Sequence, residues 1–183
     1  MSDTLPPGVQ AQPINRITWL QRDLIDANDY NPNHVAPPEM RLLRRSILAD
    51  GWLFPILVCP PAPTDVTDKS HVIVDGYHRW KVSGDKDVYA LTGGYVPCIV
   101  LPIAMDRAHR MAMTVRMNRA KGTHHVRGMA HIVGEMAVAL GVTPEEVIAN
   151  LGMDGEEFQR LLDKGKMTAR HGRDDFQKGW VPG

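Results

Sequence analysis

Every strand-forming run in the chain lies within its first 103 residues, and none follows. The runs are Arg16 to Gln21 (RITWLQ), Leu53 to Cys59 (LFPILVC), His71 to Asp75 (HVIVD) and Tyr95 to Ile103 (YVPCIVLPI), all rich in β-branched or aromatic residues and bounded by Pro, Gly, Asp or Asn. A chain patterned this way cannot be an all-helical bundle or a β-sandwich. It has to build a sheet with interleaved helices from its first hundred residues, α/β or α+β, and then add a helical unit.

The helices announce themselves by their ends. Pro37-Pro38-Glu39 suits a first turn, Met40, Leu43, Ile47 and Leu48 recur at helical spacing, and Asp50-Gly51 stops the run. Arg79 to Ser83 reads as the opening of a helix after HVIVD, and Thr92-Gly93-Gly94 as a turn. Beyond Pro102, Asp106 to Asn118 is amphipathic through Ala108, Met111, Ala112 and Val115, and Val126 to Leu140 predicts another helix, ended by Gly141. Thr143-Pro-Glu-Glu is a capping box with proline at N1, and Asp154 caps a fourth helix read as ending at Gly165. These signals divide the chain into a disordered leader (1–13), a sheet-containing domain (14–122), a helical unit (123–165) and a flexible tail (166–183).

Charge distribution says more than net charge, which is zero over the 183 residues. From Arg107 to Gly134 there are six Lys or Arg, four His and no Asp or Glu. A basic segment on a neutral protein suggests a local anion site rather than a surface that coats nucleic acid. Cys59 and Cys98 sit in separate apolar runs and read as buried thiols, forming no metal or redox motif. No apolar stretch reaches the roughly 18 residues of a membrane span, and the N-terminus has no signal-peptide pattern, so a cytoplasmic protein with no membrane partner is expected.

Two constellations could carry chemistry. In Asp75-Gly76-Tyr77-His78-Arg79 a strand ends in a glycine turn that opens a helix. Gly76 permits a positive φ or close approach of a ligand, Arg79 offers a planar fork to phosphate or carboxylate, and His78 can supply a proton or hydrogen bond. Asp75 could orient Arg79, hold a metal ion carried with a nucleotide, or act as a base. A plain turn, with Asp75 capping the helix and Arg79 solvated, is the alternative. The second constellation is Asn118-Arg119-Ala120-Lys121-Gly122, where an amide and two cations suit a phosphorylated ligand, or simply finish a helix.

Taken in order, Asn31-Pro32, the helix RLLRRSILADG, the strand FPILV, the strand and turn VIVDGYHRW, the strand VPCIV and finally VRMNRAKG resemble the ParB N-terminal domain of the ParB/sulfiredoxin superfamily, over roughly residues 15 to 122. The resemblance implies an α+β fold with a mixed sheet, and a nucleotide site built from the glycine turn and the Asn-Arg motif. Residue by residue it nominates Gly76, His78, Arg79, Asn118 and Arg119 for phosphate, with Lys121 beside them and Asp75 as the candidate catalytic residue. It implies a nucleoside triphosphate, CTP or ATP, with Mg2+, and a protein of a phage, plasmid or other mobile element acting in DNA partition or regulation, with NTPase activity of the CTPase kind left open. Asp75 is closer to the variant of the turn found in the free-serine kinases, so a small-molecule phosphotransferase is the second reading. The departures are as informative. Tyr77 stands where sulfiredoxins carry cysteine, which removes sulfinic-acid reduction. Gly76-Tyr77 replaces the ParB glutamate, so CTP hydrolysis is not carried over. The loop from Tyr30 to His34 lacks the acid expected of a kinase, and no carboxylate cluster supports a nuclease or a resident metal.

ParB proteins follow this domain with a helix-turn-helix, and the rhythm of residues 136–162 matches one, with Met136, Leu140, Val147, Leu151, Phe158, Leu161 and Leu162 as its core. The candidate DNA contacts are Gln159, Arg160, Lys164 and Lys166, beside the acids Glu156 and Glu157. A packing or oligomerisation unit, serving a homodimer, is the competing reading of these helices.

Overall fold

In a computed structural model of the chain, residues 5–30, 36–119 and 126–170 are described. Five strands form one mixed sheet in the order β1-β5-β3-β4-β2. They are β1 (Ile17–Gln21), β2 (Ile25–Asp26), β3 (Ile56–Cys59), β4 (His71–Asp75) and β5 (Tyr95–Val100). β1 runs antiparallel to β5, β3 parallel to β5 and antiparallel to β4, and β2 parallel to β4. Helices are α1 (Pro7–Gln10), α2 (Pro37–Asp50), α3 (Tyr77–Val82), α4 (Lys86–Thr92), α5 (Arg107–Arg119), α6 (Val126–Gly134), α7 (Pro144–Leu151) and α8 (Gly155–Arg170).

The alternation of β4 explains how the sheet is buried on both faces. Ile73 joins Ile25, Ile56, Val58, Val96 and Cys98 on one side, with Trp52 and Trp80 packed against them. Val72 and Val74 join Cys59 on the other, against Leu57, Met105 and Met113. That second face is covered by α5, whose Thr114 hydroxyl, itself buried, donates to the Val74 carbonyl at 2.6 Å.

α5 is also the floor of the helical unit. Met111, Ala112 and Val115 share a cluster with Met129, Ile132, Val133, Met136, Val147, Leu151, Phe158 and Leu161. The sheet domain and the helices are thus joined through the two faces of one helix, and the core of the helical unit starts at Met111 rather than beyond residue 122. Thr143 caps α7 with the full reciprocal box, and the Asp154 carboxylate accepts from Glu157 N at 2.7 Å, each worth about 1 kcal/mol.

Several sequence expectations are corrected. β3 begins at Ile56, not Leu53, because Pro55 has no N–H to give a ladder; Leu53 and Phe54 lie exposed. α3 begins at Tyr77, two residues before Arg79, with Gly76 as its N-cap. α4 was not anticipated, being a single helix of seven residues without a periodic stripe. The helix expected through Leu140 changes at Glu135 into a π-helical turn, in which Leu140 N donates to Glu135 O. Gly165 does not end α8. A Cβ there would meet the Ala130 carbonyl oxygen at 2.8 Å, so this glycine lets α8 lie against α6, and the helix continues to Arg170 into the segment expected to be tail. The leader carries one helical turn, α1, which buries nothing. Residues 171–183 lie outside the described residues. Cys59 and Cys98 are buried and free, and burial pushes the Cys98 thiol up to about 12.

Candidate functional site

Gly76 takes φ +98° as the N-cap of α3 and has no side chain with which to cap it. The Asp75 carboxylate accepts from Arg79 Nη2 at 3.1 Å, and Arg79 Nη1 donates to the Pro55 carbonyl just ahead of β3, so Arg79 is not a purely solvated surface residue. The Arg79 side chain is 20 % exposed and that of Asp75 13 %. Gly76 makes this fold-back possible twice over. Its φ is one that L side chains rarely adopt, and a Cβ would sit 3.0 Å from Arg79 Nη2 and 3.2 Å from the Ile56 Cα. Burial pulls the Arg79 guanidinium below its ordinary value and Asp75 pushes it back. Among the described residues, protein groups engage two of its five donors, one on Nη1 and one on Nη2. Tyr77 meets the His78 ring edge-on at 5.3 Å and lies 6.2 Å from Trp80.

The second motif approaches this turn along α5. Arg110 pairs with Asp65, in the loop before β4, and Thr114 bonds to Val74 within it. The helix therefore runs in the same direction as the strand. From Thr114 to Asn118 it advances about 6 Å, and from Val74 to Gly76 the strand advances about the same distance. Asn118, 7 % exposed, consequently lies toward the end of β4 at which the glycine turn sits. Arg119 closes α5, and Lys121 lies outside the described residues, as do Asn31 to His34.

No sequence pattern announced the groups that fix this crossing. Asp65 receives Arg110 end-on, Nη1 to Oδ2 at 2.8 Å and Nη2 to Oδ1 at 2.6 Å, while Arg110 also donates to the Met105 carbonyl. Burial raises the Asp65 carboxyl, but Arg110 and the Ala62 N–H outweigh it and hold it below the ordinary value. Neither residue stands in a recognisable pattern, since an ion pair 45 residues apart leaves no local periodicity.

On the helical unit, Gln159 and Arg160 are exposed, and the Gln159 amide donates to Asp163 at 2.9 Å. Lys164 is exposed, and Lys166 falls in the backbone of α8. Glu145 and Glu146 on α7 and Glu156 on α8 are exposed as well. Among the described residues, no three His, Cys, Asp or Glu are grouped to hold a metal ion, and no helix is long and apolar enough to cross a membrane.

Residues 124–173 match the IbrB-like C-terminal HTH domain family. Over 172 residues, 93 % of the chain, it is 35 % identical to the protein YbdM of Escherichia coli (strain K12), described as uncharacterized, and it covers 78 % of that protein. Among solved structures it is similar to the C-terminally truncated chromosome-partitioning protein ParB of Caulobacter crescentus in complex with CTP-gamma-S (21 % identity, 85 % of this chain and 88 % of that one, TM-score 0.47). It is also similar to the same protein complexed to the centromeric parS site (18 % identity, 83 % of this chain and 72 % of that one, TM-score 0.48).

Proposed function

For a chain that belongs to the family of YbdM and carries a C-terminal segment matching a helix-turn-helix family, we propose a ParB-like DNA-binding protein whose sheet domain binds a nucleotide through its phosphates. The observation that carries the reading is the Thr114–Val74 bond between residues 40 apart in sequence, which runs α5 alongside β4 and brings Asn118 toward the Gly76 turn. A guanidinium held by a carboxylate and a carbonyl, a glycine with no Cβ in the way, and a buried amide make a donor-rich corner suited to phosphate oxygens. In this reading Asp75 is a positioning residue: it sets the Arg79 fork. CTP is the first nucleotide to try, because the sequence motifs resemble those of ParB, and Mg2+ would arrive with it.

A second reading, phosphotransfer to a small hydroxyl compound, draws on the acidic surface of α7 and α8, which disfavours a polyanion. Calorimetry with CTP, ATP, ADP and GTP, paired with a DNA gel shift at low and moderate salt, tests both. The proposal expects nucleotide binding and a DNA shift that weakens as salt rises. A DNA shift absent at low salt, with ATP bound, would favour the second reading. No nucleotide bound at about 1 mM would remove both.

A further inference from the structure

The two edges of the sheet are built differently. β2 offers only two residues, Ile25 and Asp26, and shortness is one way a sheet protects an edge. β1 lacks the common protections. Its five residues, ITWLQ, carry no charge and no proline, and their register with β5 runs without a bulge. Ile17 and Trp19 are 50 % and 51 % exposed, and Thr18 between them is exposed as well.

One bond fixes which backbone groups face outward. Arg22 N donates to Gly94 O at 2.9 Å, a pair that continues the register in which Gln21 stands opposite Tyr95. Along an antiparallel pair, residues bonded to the neighbouring strand alternate with residues turned away from it. Thr18 and Leu20 therefore bond to β5, while Ile17, Trp19 and Gln21 aim their N–H and C=O groups out of the sheet. Pro97, with no N–H to give, stands opposite Trp19, where none is needed. Among the described residues, no hydrogen bond from elsewhere reaches the Trp19 backbone. The outward set is symmetric about Trp19. A two-fold axis there, perpendicular to the sheet, sets a second β1 antiparallel to the first, with the two Trp19 residues opposite one another and each Ile17 opposite the other copy's Gln21. Every outward residue then meets an outward residue. A slip of two residues, the smallest that keeps each face on its own side, leaves Ile17 or Gln21 unmatched. The nearest charges, Arg16 and Arg22, meet only beyond the paired residues, and Arg22 is already engaged by Asp23 at 3.2 Å and lies 5.1 Å over the Trp80 ring. A strand of another protein would have to bring its own matching set of groups, whereas a second copy supplies it by symmetry.

We propose that β1 pairs with β1 of a second copy of this chain, joining two five-stranded sheets into one across a contact between the Trp19 side chains. The inference is independent of the nucleotide reading. So short a seam is smaller than a standard interface, and a Kd of about 100 µM is expected. Sedimentation velocity of the full chain from about 5 to about 500 µM should show a monomer–dimer equilibrium. Trp19→Lys, which sets two ammoniums opposite each other at the axis, should weaken it about tenfold or more. Gln21→Pro is the gentler variant: φ there is −62°, a value proline takes, so the fold is kept while the outward N–H is lost, and the dimer should weaken again. Leu42→Lys, on the exposed side of α2, should leave it unchanged. Trp19→Cys should form a disulfide-linked dimer on oxidation, since the paired Cα atoms would lie about 5.5 Å apart, and Leu42→Cys should not. Thermal melts confirm the fold of each variant. A chain that stays monomeric to about 500 µM, a dimer unaltered in folded Trp19→Lys or Gln21→Pro, or equal cross-linking at positions 19 and 42 would overturn the proposal.

Discussion

Two arginine–aspartate pairs bracket the crossing of α5 over β4, and they are built differently. At one end Arg110 and Asp65 meet through two short bonds, with Arg110 only 4 % exposed and a third contact to Met105 O. At the other, Arg79 meets Asp75 through one 3.1 Å contact, is 20 % exposed, and rests against a glycine of positive φ. The first pair is a closed fork that fixes the helix on the sheet. The second holds a guanidinium in place while leaving part of it open to solvent. The same chemistry thus serves anchoring at one end and presentation at the other.

The largest effect should come from the anchor. Asp65→Ala leaves Arg110 buried and unpaired, and should cost about 3–5 kcal/mol in chemical denaturation. A cost as small as that of a surface pair would break the comparison. Its pH signature has a definite sign. Because the folded carboxyl sits below its ordinary value of 3.8, its contribution is complete above that value and is lost as pH falls through the lower folded pKa. Acid denaturation of Asp65→Asn should therefore lack that part of the wild-type slope.

Gly76→Ala comes next. Strain at φ +98° plus a Cβ 3.2 Å from the Ile56 backbone should cost about 2 kcal/mol. It should also displace Arg79, so its nucleotide affinity should fall further than its stability explains. Thr114→Val removes the bond that sets α5 along β4 and should cost about 1–2 kcal/mol, with a smaller loss of affinity. Asp75→Asn should be mildest, about 1 kcal/mol or less, since an amide oxygen can still accept from Arg79. If it destabilised the fold as much as Asp65→Ala, the two pairs would be equivalent anchors.

How much of this was legible in the sequence depends on how local the signal was. The Pro37–Asp50 helix, its Gly51 stop, the Thr143 box and the Asp154 cap are written within four or five residues, and each is found as read. The glycine of the turn was legible as well, because positive φ and close approach are the two uses of that residue. The purpose of Asp75 was not, since capping and holding Arg79 call for the same residue at the same place. Gly165 was misread for a related reason: a glycine that admits a neighbouring helix looks, in sequence, like one that ends its own. The Arg110–Asp65 pair and the doubled role of α5 depend on contacts across tens of residues. Local periodicity carries no trace of those.

In the proposed function, phosphate is held at the Arg79 end of the crossing and not at the Arg110 end. Calorimetric titration of CTP into wild type, Arg79→Lys and Thr114→Val tests it directly, with melts to confirm folding. Arg79→Lys, which keeps the charge but loses the planar fork, should bind about tenfold or more weakly, while Thr114→Val should bind nearer to wild type. Equal CTP affinity in wild type and Arg79→Lys, or no binding by wild type at about 1 mM, would contradict it.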